Sequence, residues 1–168
     1  MEDQNTSITN HAEQSKNTDG KAMTGYEALK LDNQLCFSLY VCSKEIIKKY
    51  KPLLDPYQLT YTGYIILMAL WEEDNVTVKE LGSKLYLDSG TLTPMLKKLE
   101  TLGYIKRIRS HKDERNVYIQ LTQKGRAFKK EALHFPDQLI CSMNLDMENG
   151  KRLLHELHQM MQLFTNES

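Results

Sequence analysis

The sequence predicts a mainly α-helical fold with one small β-hairpin, and three observations carry that expectation. Thr77-Val78-Lys79-Glu80 is a capping box opening the short helix VKELGSKLYL: the threonine hydroxyl satisfies an orphan N–H and the glutamate reaches back. After a short turn comes a second capped helix, LDSGTLTPMLKKLETLGY, with Asp88 or Ser89 as cap and Gly103 where a left-handed C-terminal residue belongs. IKRIRS and NVYIQLT then alternate in the manner of strands around the polar connection HKDER. Helix, turn, helix and hairpin in this order make a winged helix-turn-helix.

The remaining elements extend that module at both ends. From Tyr26 to Tyr50, Leu29, Leu35, Leu39, Ile46 and Ile47 recur at helical spacing. Pro52 is expected to close this segment, because proline disfavours helix in the residue before it. Thr60 can cap TYTGYIILMALWEE, which is apolar on most sides and therefore expected to be buried. In the second helix of the pair Leu92, Met95, Leu96 and Leu99 form the inner stripe, and regular helical bonding is expected to begin only shortly before Pro94, which lacks an N–H. Beyond the hairpin, Gly125 to Leu133 and Asp146 to Phe164 read as helices split by His134-Phe135-Pro136. Leu153, Leu154, Leu157, Met160, Met161 and Phe164 give the last one a wide apolar stripe.

Residues 1–25 are polar and without periodicity, and are expected to form a disordered tail. Residues 26–168 are expected to form a single domain, in which 59–125 is the winged-helix module and 26–58 and 126–168 are dimerisation helices. Those terminal helices carry more apolar surface than one small domain could cover, so an intertwined homodimer is expected.

Composition narrows the function. No apolar run among the 168 residues reaches the roughly 18 needed to span a membrane, and no signal-peptide h-region is present. Three cysteines without a CxxC argue against a disulfide framework and a zinc site; the histidines lack ligand spacing, so no metal or cofactor is expected. Free thiols suit the cytoplasm. The net charge of zero conceals a segregation: Lys79 to Lys130 hold 13 Lys and Arg against 5 Asp and Glu, leaving 9 against 17 elsewhere. A basic module on an acidic scaffold points to double-stranded DNA.

In a helix-turn-helix the second helix enters the major groove, N-terminal residues first. Those residues are Asp88, Ser89, Thr91, Thr93 and Pro94, followed by Lys97 and Lys98. Hydroxyls can bond bases or phosphates, and threonine and proline carbons can touch thymine methyls. Arg107, Lys112, Asp113 and Arg115 of the hairpin complete the expected DNA-facing set. Arg115 can enter a narrow minor groove, while Asp113 is better placed to pair with Arg115 or tie the turn.

LDNQLCF, LTYTGY, LYLDSGTLTPMLKKLE and the wing DERNVYIQLT followed by KG carry a resemblance running from about Leu31 to Leu133. The chain resembles the MarR family of winged-helix regulators, and within it the organic-hydroperoxide-sensing OhrR subgroup. The resemblance implies a homodimer that binds an inverted-repeat operator, represses transcription and is released by an organic hydroperoxide. It also implies that Cys36 is the reactive thiolate and that tyrosines matching Tyr50 and Tyr61 of the partner, with Tyr40 nearby, hydrogen-bond it. Cys141 in FPDQLICS matches the second cysteine of the two-cysteine class, which closes an intersubunit disulfide.

The residues around Cys36 suit that chemistry. Tyr40 and Tyr50 fall within about 40° of Cys36 on a helical wheel, and phenol donors favour the charged sulfur. Leu35, Phe37 and Leu39 suit a peroxide with an organic tail. Oxidation leads to sulfenic acid and then to a disulfide. Cys42, about 240° round the helix, is expected to be an incidental core residue, as are Leu35 and Leu39. Three other readings stay open: a regulator released by a non-covalent phenolic or lipophilic ligand, a thiol peroxidase, and a dimerisation module with a degenerate wing. No thioredoxin-like βαβ pattern supports the enzyme, so none is expected.

Overall fold

The computed structural model describes residues 25–110 and 116–165, and the chain divides into two units at Ile46/Ile47. The expected tail therefore lies, but for Gly25, outside the described residues.

The first unit holds helix α1 (Gly25–Ala28), a 3-10 turn (Leu31–Asn33) and the start of helix α2 (Leu35–Leu54). The Asn33 amide donates to the Glu27 carbonyl at 2.8 Å, and the Gln34 amide donates to that of Ala28. The polar half of LDNQLC thus satisfies carbonyls that a four-residue helix leaves open and sets Cys36 in the first turn of α2.

The second unit begins within α2, which does not stop at Pro52. The helix continues to Leu54 and passes into a 3-10 turn, Asp55–Tyr57. Proline restricts its predecessor and lacks an N–H, but buried Leu54 keeps the last turn packed. Then follow α3 (Tyr61–Glu72), β1 (Val76–Thr77), α4 (Val78–Leu85), α5 (Ser89–Thr101), β2 (Ile105–Arg109) and β3 (Val117–Leu121). Thr60 caps α3 by accepting from the Gly63 N–H at 3.2 Å, and both halves of the Thr77–Glu80 capping box are formed. Helix α5 starts at Ser89 with Asp88 as its cap, and its Leu92 N–H bonds the Asp88 carbonyl at 2.9 Å shortly before Pro94, as expected.

The sheet is antiparallel in the order β1-β3-β2, with Ile105 facing Leu121 and Arg109 facing Val117. Strand β1 was not foreseen, since two residues are too few to show alternation; Val76 sits opposite Ile119. Helices α6 (Gln123–Ala132), α7 (Phe135–Met143) and α8 (Met147–Thr165) complete the chain. His134-Phe135-Pro136, expected to split two helices, instead opens helix α7, which the expected elements did not include. Pro136 sits in the first turn, where a missing N–H costs nothing, and Phe135 and Leu139 bury one face.

The core forms around α3: Ile66, Leu67 and Leu70 join Leu81, Leu92, Leu96, Leu99, Ile105 and Ile119. Phe128 of α6 packs between Tyr57, Trp71 and Tyr104 at ring-centroid distances of 4.7, 5.8 and 5.6 Å. The Trp71 indole N–H donates to the Gly125 carbonyl at 3.0 Å. Gly125 lies so close to β2 that a Cβ would meet the Tyr104 carbonyl oxygen at 2.2 Å.

Leu35 is 64% exposed, Leu39 half-buried and Cys42 exposed, so the expected burial of these positions does not occur within one chain. Periodicity shows that a face is apolar without showing what covers it. On α8, Leu153, Leu154, Met161 and Phe164 are likewise exposed. Among the described residues no helix is long and apolar enough to cross a membrane.

Candidate nucleic-acid interface and cysteine site

The two helices of the reading head meet closely. A Cβ on Gly82 of α4 would lie 2.8 Å from the Leu87 carbonyl oxygen, and the Leu87 N–H donates to the Gly82 carbonyl at 3.0 Å. Burial of Leu92, Leu96 and Leu99 turns the opposite face of α5 outward, leaving Ser89, Thr91, Pro94, Lys97 and Lys98 exposed. Asp88 is committed to the helix end: its carboxylate accepts the Thr91 N–H at 2.8 Å and the Thr91 hydroxyl at 3.0 Å. These bonds hold its carboxyl below the usual range. Thr93 is half-buried and borders a groove of about 260 Å3 between the reading head and the hairpin, lined also by Thr77, Lys79, Arg107 and Asn116. Arg107 is bonded to Glu100, a residue the sequence reading did not single out. Lys112, Asp113 and Arg115 lie outside the described residues.

The expected redox residues divide between the units. Cys36 and Tyr40 belong to the first; both are exposed, and the Lys44 ammonium lies 5.8 Å from the Tyr40 ring centroid. Tyr50, Tyr61 and Cys141 belong to the second. There the Tyr50 ring lies 4.9 Å from that of Tyr61 and 5.7 Å from that of Tyr64. Burial, then the neighbouring Tyr61 and Tyr64, pushes the Tyr50 phenol up to about 12. Burial also raises Tyr61 and Tyr64. Three neutral phenols in contact are a set of hydrogen-bond donors. Tyr64 was missed, although its spacing of three from Tyr61 on a helix was a signal.

Cys141 is exposed on α7. Next to it the Ser142 carbonyl accepts from the Lys49 ammonium at 2.8 Å, fastening the end of α7 to α2. Tyr50 also lines an apolar pocket of about 400 Å3 with Pro136, Leu139, Ile140, Leu145 and Leu154. Among the described residues no group of three or more His, Cys, Asp or Glu could hold a metal ion.

Fold and reading head together define a winged-helix DNA-binding protein. Residues 48–132 match the family model of the SarA/Rot transcriptional regulators. The chain is 46% identical over 137 residues to the organic hydroperoxide resistance transcriptional regulator of Bacillus subtilis, covering 82% of this chain and 93% of that protein. It is 46% identical over 127 residues to the regulator SarZ of Staphylococcus aureus, covering 76% and 86%. Reduced AbfR bound to DNA superposes with a TM-score of 0.68 at 36% identity, covering 83% of this chain and 98% of that one. Disulfide-formed AbfR gives a TM-score of 0.56 at 37% identity, covering 81% and 96%. The chain belongs to the MarR family of winged-helix transcriptional regulators, in its organic hydroperoxide resistance (OhrR) group. It is a DNA-binding transcriptional regulator, and its relatives are regulators, not enzymes.

Proposed function

We propose that this regulator is a cytoplasmic, homodimeric repressor released from an inverted-repeat operator when an organic hydroperoxide oxidises Cys36. The observation that carries the reading is the contact of Tyr50 with Tyr61, whose phenols stay protonated and can donate to a sulfur anion. Cys36 occupies the first turn of α2. The thiolate attacks the peroxide, the O–O bond breaks, and ROOH with one proton becomes ROH while the sulfur becomes a sulfenic acid. Cys141 of the partner subunit then condenses with it, forming the disulfide and releasing water. The relatives support this: one is a hydroperoxide resistance regulator, and AbfR has been solved both reduced on DNA and disulfide-formed.

The exposed apolar faces of α2 and α8 are the surfaces that residues 26–58 and 126–168 bury in the dimer. Ser89, Thr91, Thr93, Pro94, Lys97 and Lys98 read the major groove with Asp88 as their cap, and Lys112, Asp113 and Arg115 complete the DNA-binding set. Titrating an operator complex with cumene hydroperoxide tests the reading. Parent protein is released; if Cys36→Ser is released equally well, covalent sensing is wrong. That outcome would favour a second reading, release by a non-covalent lipophilic ligand, for which the apolar pocket beside Tyr50 speaks.

A further inference from the structure

We infer that Glu100 and Arg107 form a positioning pair that sets the hairpin against the recognition helix for DNA binding, so that Arg107 acts through Glu100 and not on DNA itself. Glu100 stands in the last turn of α5 and Arg107 in the middle of β2. One carboxylate oxygen accepts the Arg107 backbone N–H at 3.1 Å, and the other accepts its Nε at 2.7 Å. Both oxygens are engaged by one residue, and the carboxyl is held below its usual range, by the side-chain bond first.

Strand geometry agrees. Alternation puts Arg107 on the side of Ile105, which is buried, and opposite to exposed Lys106. Its partner across the ladder is Ile119, which has no exposure at all. The guanidinium is thus aimed at the end of α5. The chain between them is a tight turn at Gly103, with φ of 78°, whose carbonyl accepts the Thr122 hydroxyl. The hairpin is also held where β3 pairs with β1 and where Ile105 and Ile119 enter the core. The carboxylate adds an attachment from the end of α5 midway along β2, and this sets the angle between helix and hairpin. That angle decides whether recognition helix and wing engage one duplex together.

The sign of one substitution separates this role from direct contact. A carboxylate near phosphates repels them, so on charge alone Glu100→Gln strengthens DNA binding. Positioning demands the reverse. The test measures anisotropy of a fluorescent duplex, enriched from a randomised pool by the parent dimer, across a salt series. Glu100→Gln and Arg107→Ala each weaken binding about fivefold, and the double variant is no weaker than either single, as for coupled neighbours. The slope of log K against log salt is unchanged, and the exchanged pair E100R/R107E regains most of the loss. Without DNA, amide exchange across residues 105–109 quickens in Glu100→Gln while far-UV circular dichroism stays that of the parent. The inference is overturned if Arg107→Ala makes the slope shallower by about one, as loss of a phosphate contact does, while Glu100→Gln binds as tightly or more tightly. Additive losses, or a failed exchange in a folded dimer, overturn it as well.

Discussion

The ring of Tyr50, near the end of α2, lies 4.9 Å from that of Tyr61, the first residue of α3, at an interplanar angle of 48°. Ten residues lie between them, including two prolines, a 3-10 turn and a left-handed Gln58. Burial is what first keeps these phenols neutral, and at Tyr50 and Tyr64 a neighbouring tyrosine ring adds to it.

Alkaline titration should find Tyr50. Its folded value of about 12 lies above the unfolded value of about 10, so the stability it lends is full below pH 10 and is lost as pH rises towards 12. Tyr50→Phe removes the highest tyrosinate step seen by ultraviolet absorbance and flattens the alkaline fall in stability. An unaltered titration curve would refute the assignment.

Peroxide-treated protein should run as a covalent dimer on non-reducing gels, and Cys141→Ser should run as monomer. Cys42→Ser should behave as the parent, although Cys42 is as exposed as the other two cysteines. A dimer persisting in Cys141→Ser would move the resolving role to another thiol.

Gly125→Ala should be among the most destabilising small substitutions. The added carbon meets the Tyr104 carbonyl oxygen at 2.2 Å, and backbone lies on both sides of that contact. A cost of about 3 kcal/mol is expected from overpacking, read as a lower urea midpoint. Gly82→Ala, at 2.8 Å from the Leu87 carbonyl oxygen, should cost less and disturb the turn between α4 and α5.

Acid should loosen the reading head through its caps. The carboxyls of Glu80 and Asp88 lie below their usual range because each accepts backbone and hydroxyl hydrogen bonds, from Thr77 and Thr91 respectively. Lowered values mean that their stabilisation is present above the unfolded carboxylate range near pH 4 and is lost as pH falls through the folded values. The double variant E80Q/D88N should therefore show a shallower decline in unfolding temperature between pH 5 and about pH 2. An identical decline would show that the caps do not control acid stability.

Much of this protein was legible along the chain. Thr60, Thr77 and Asp88 were visible as caps because capping involves residues three apart, and the hairpin was visible because alternation is a nearest-neighbour property. Cys36 and Cys141 stood out through the motifs around them, not through any property of a thiol. Helix α7 was missed because Pro136 reads as a breaker inside a helix and as a good starter in its first turn, and composition does not tell which applies.

By itself the sequence determined the type of most elements, though not of β1 or α7, the polar outer face of α5 and the basic character of the module, all set by residues within a turn or a strand of one another. Tertiary structure alone decided that Tyr64 joins Tyr50 and Tyr61, that Arg107 turns to Glu100, and that Gly125 has no room for a side chain. Each depends on the packing of separate elements, where a side chain's neighbours are chosen by the core's shape and not by its place in the chain.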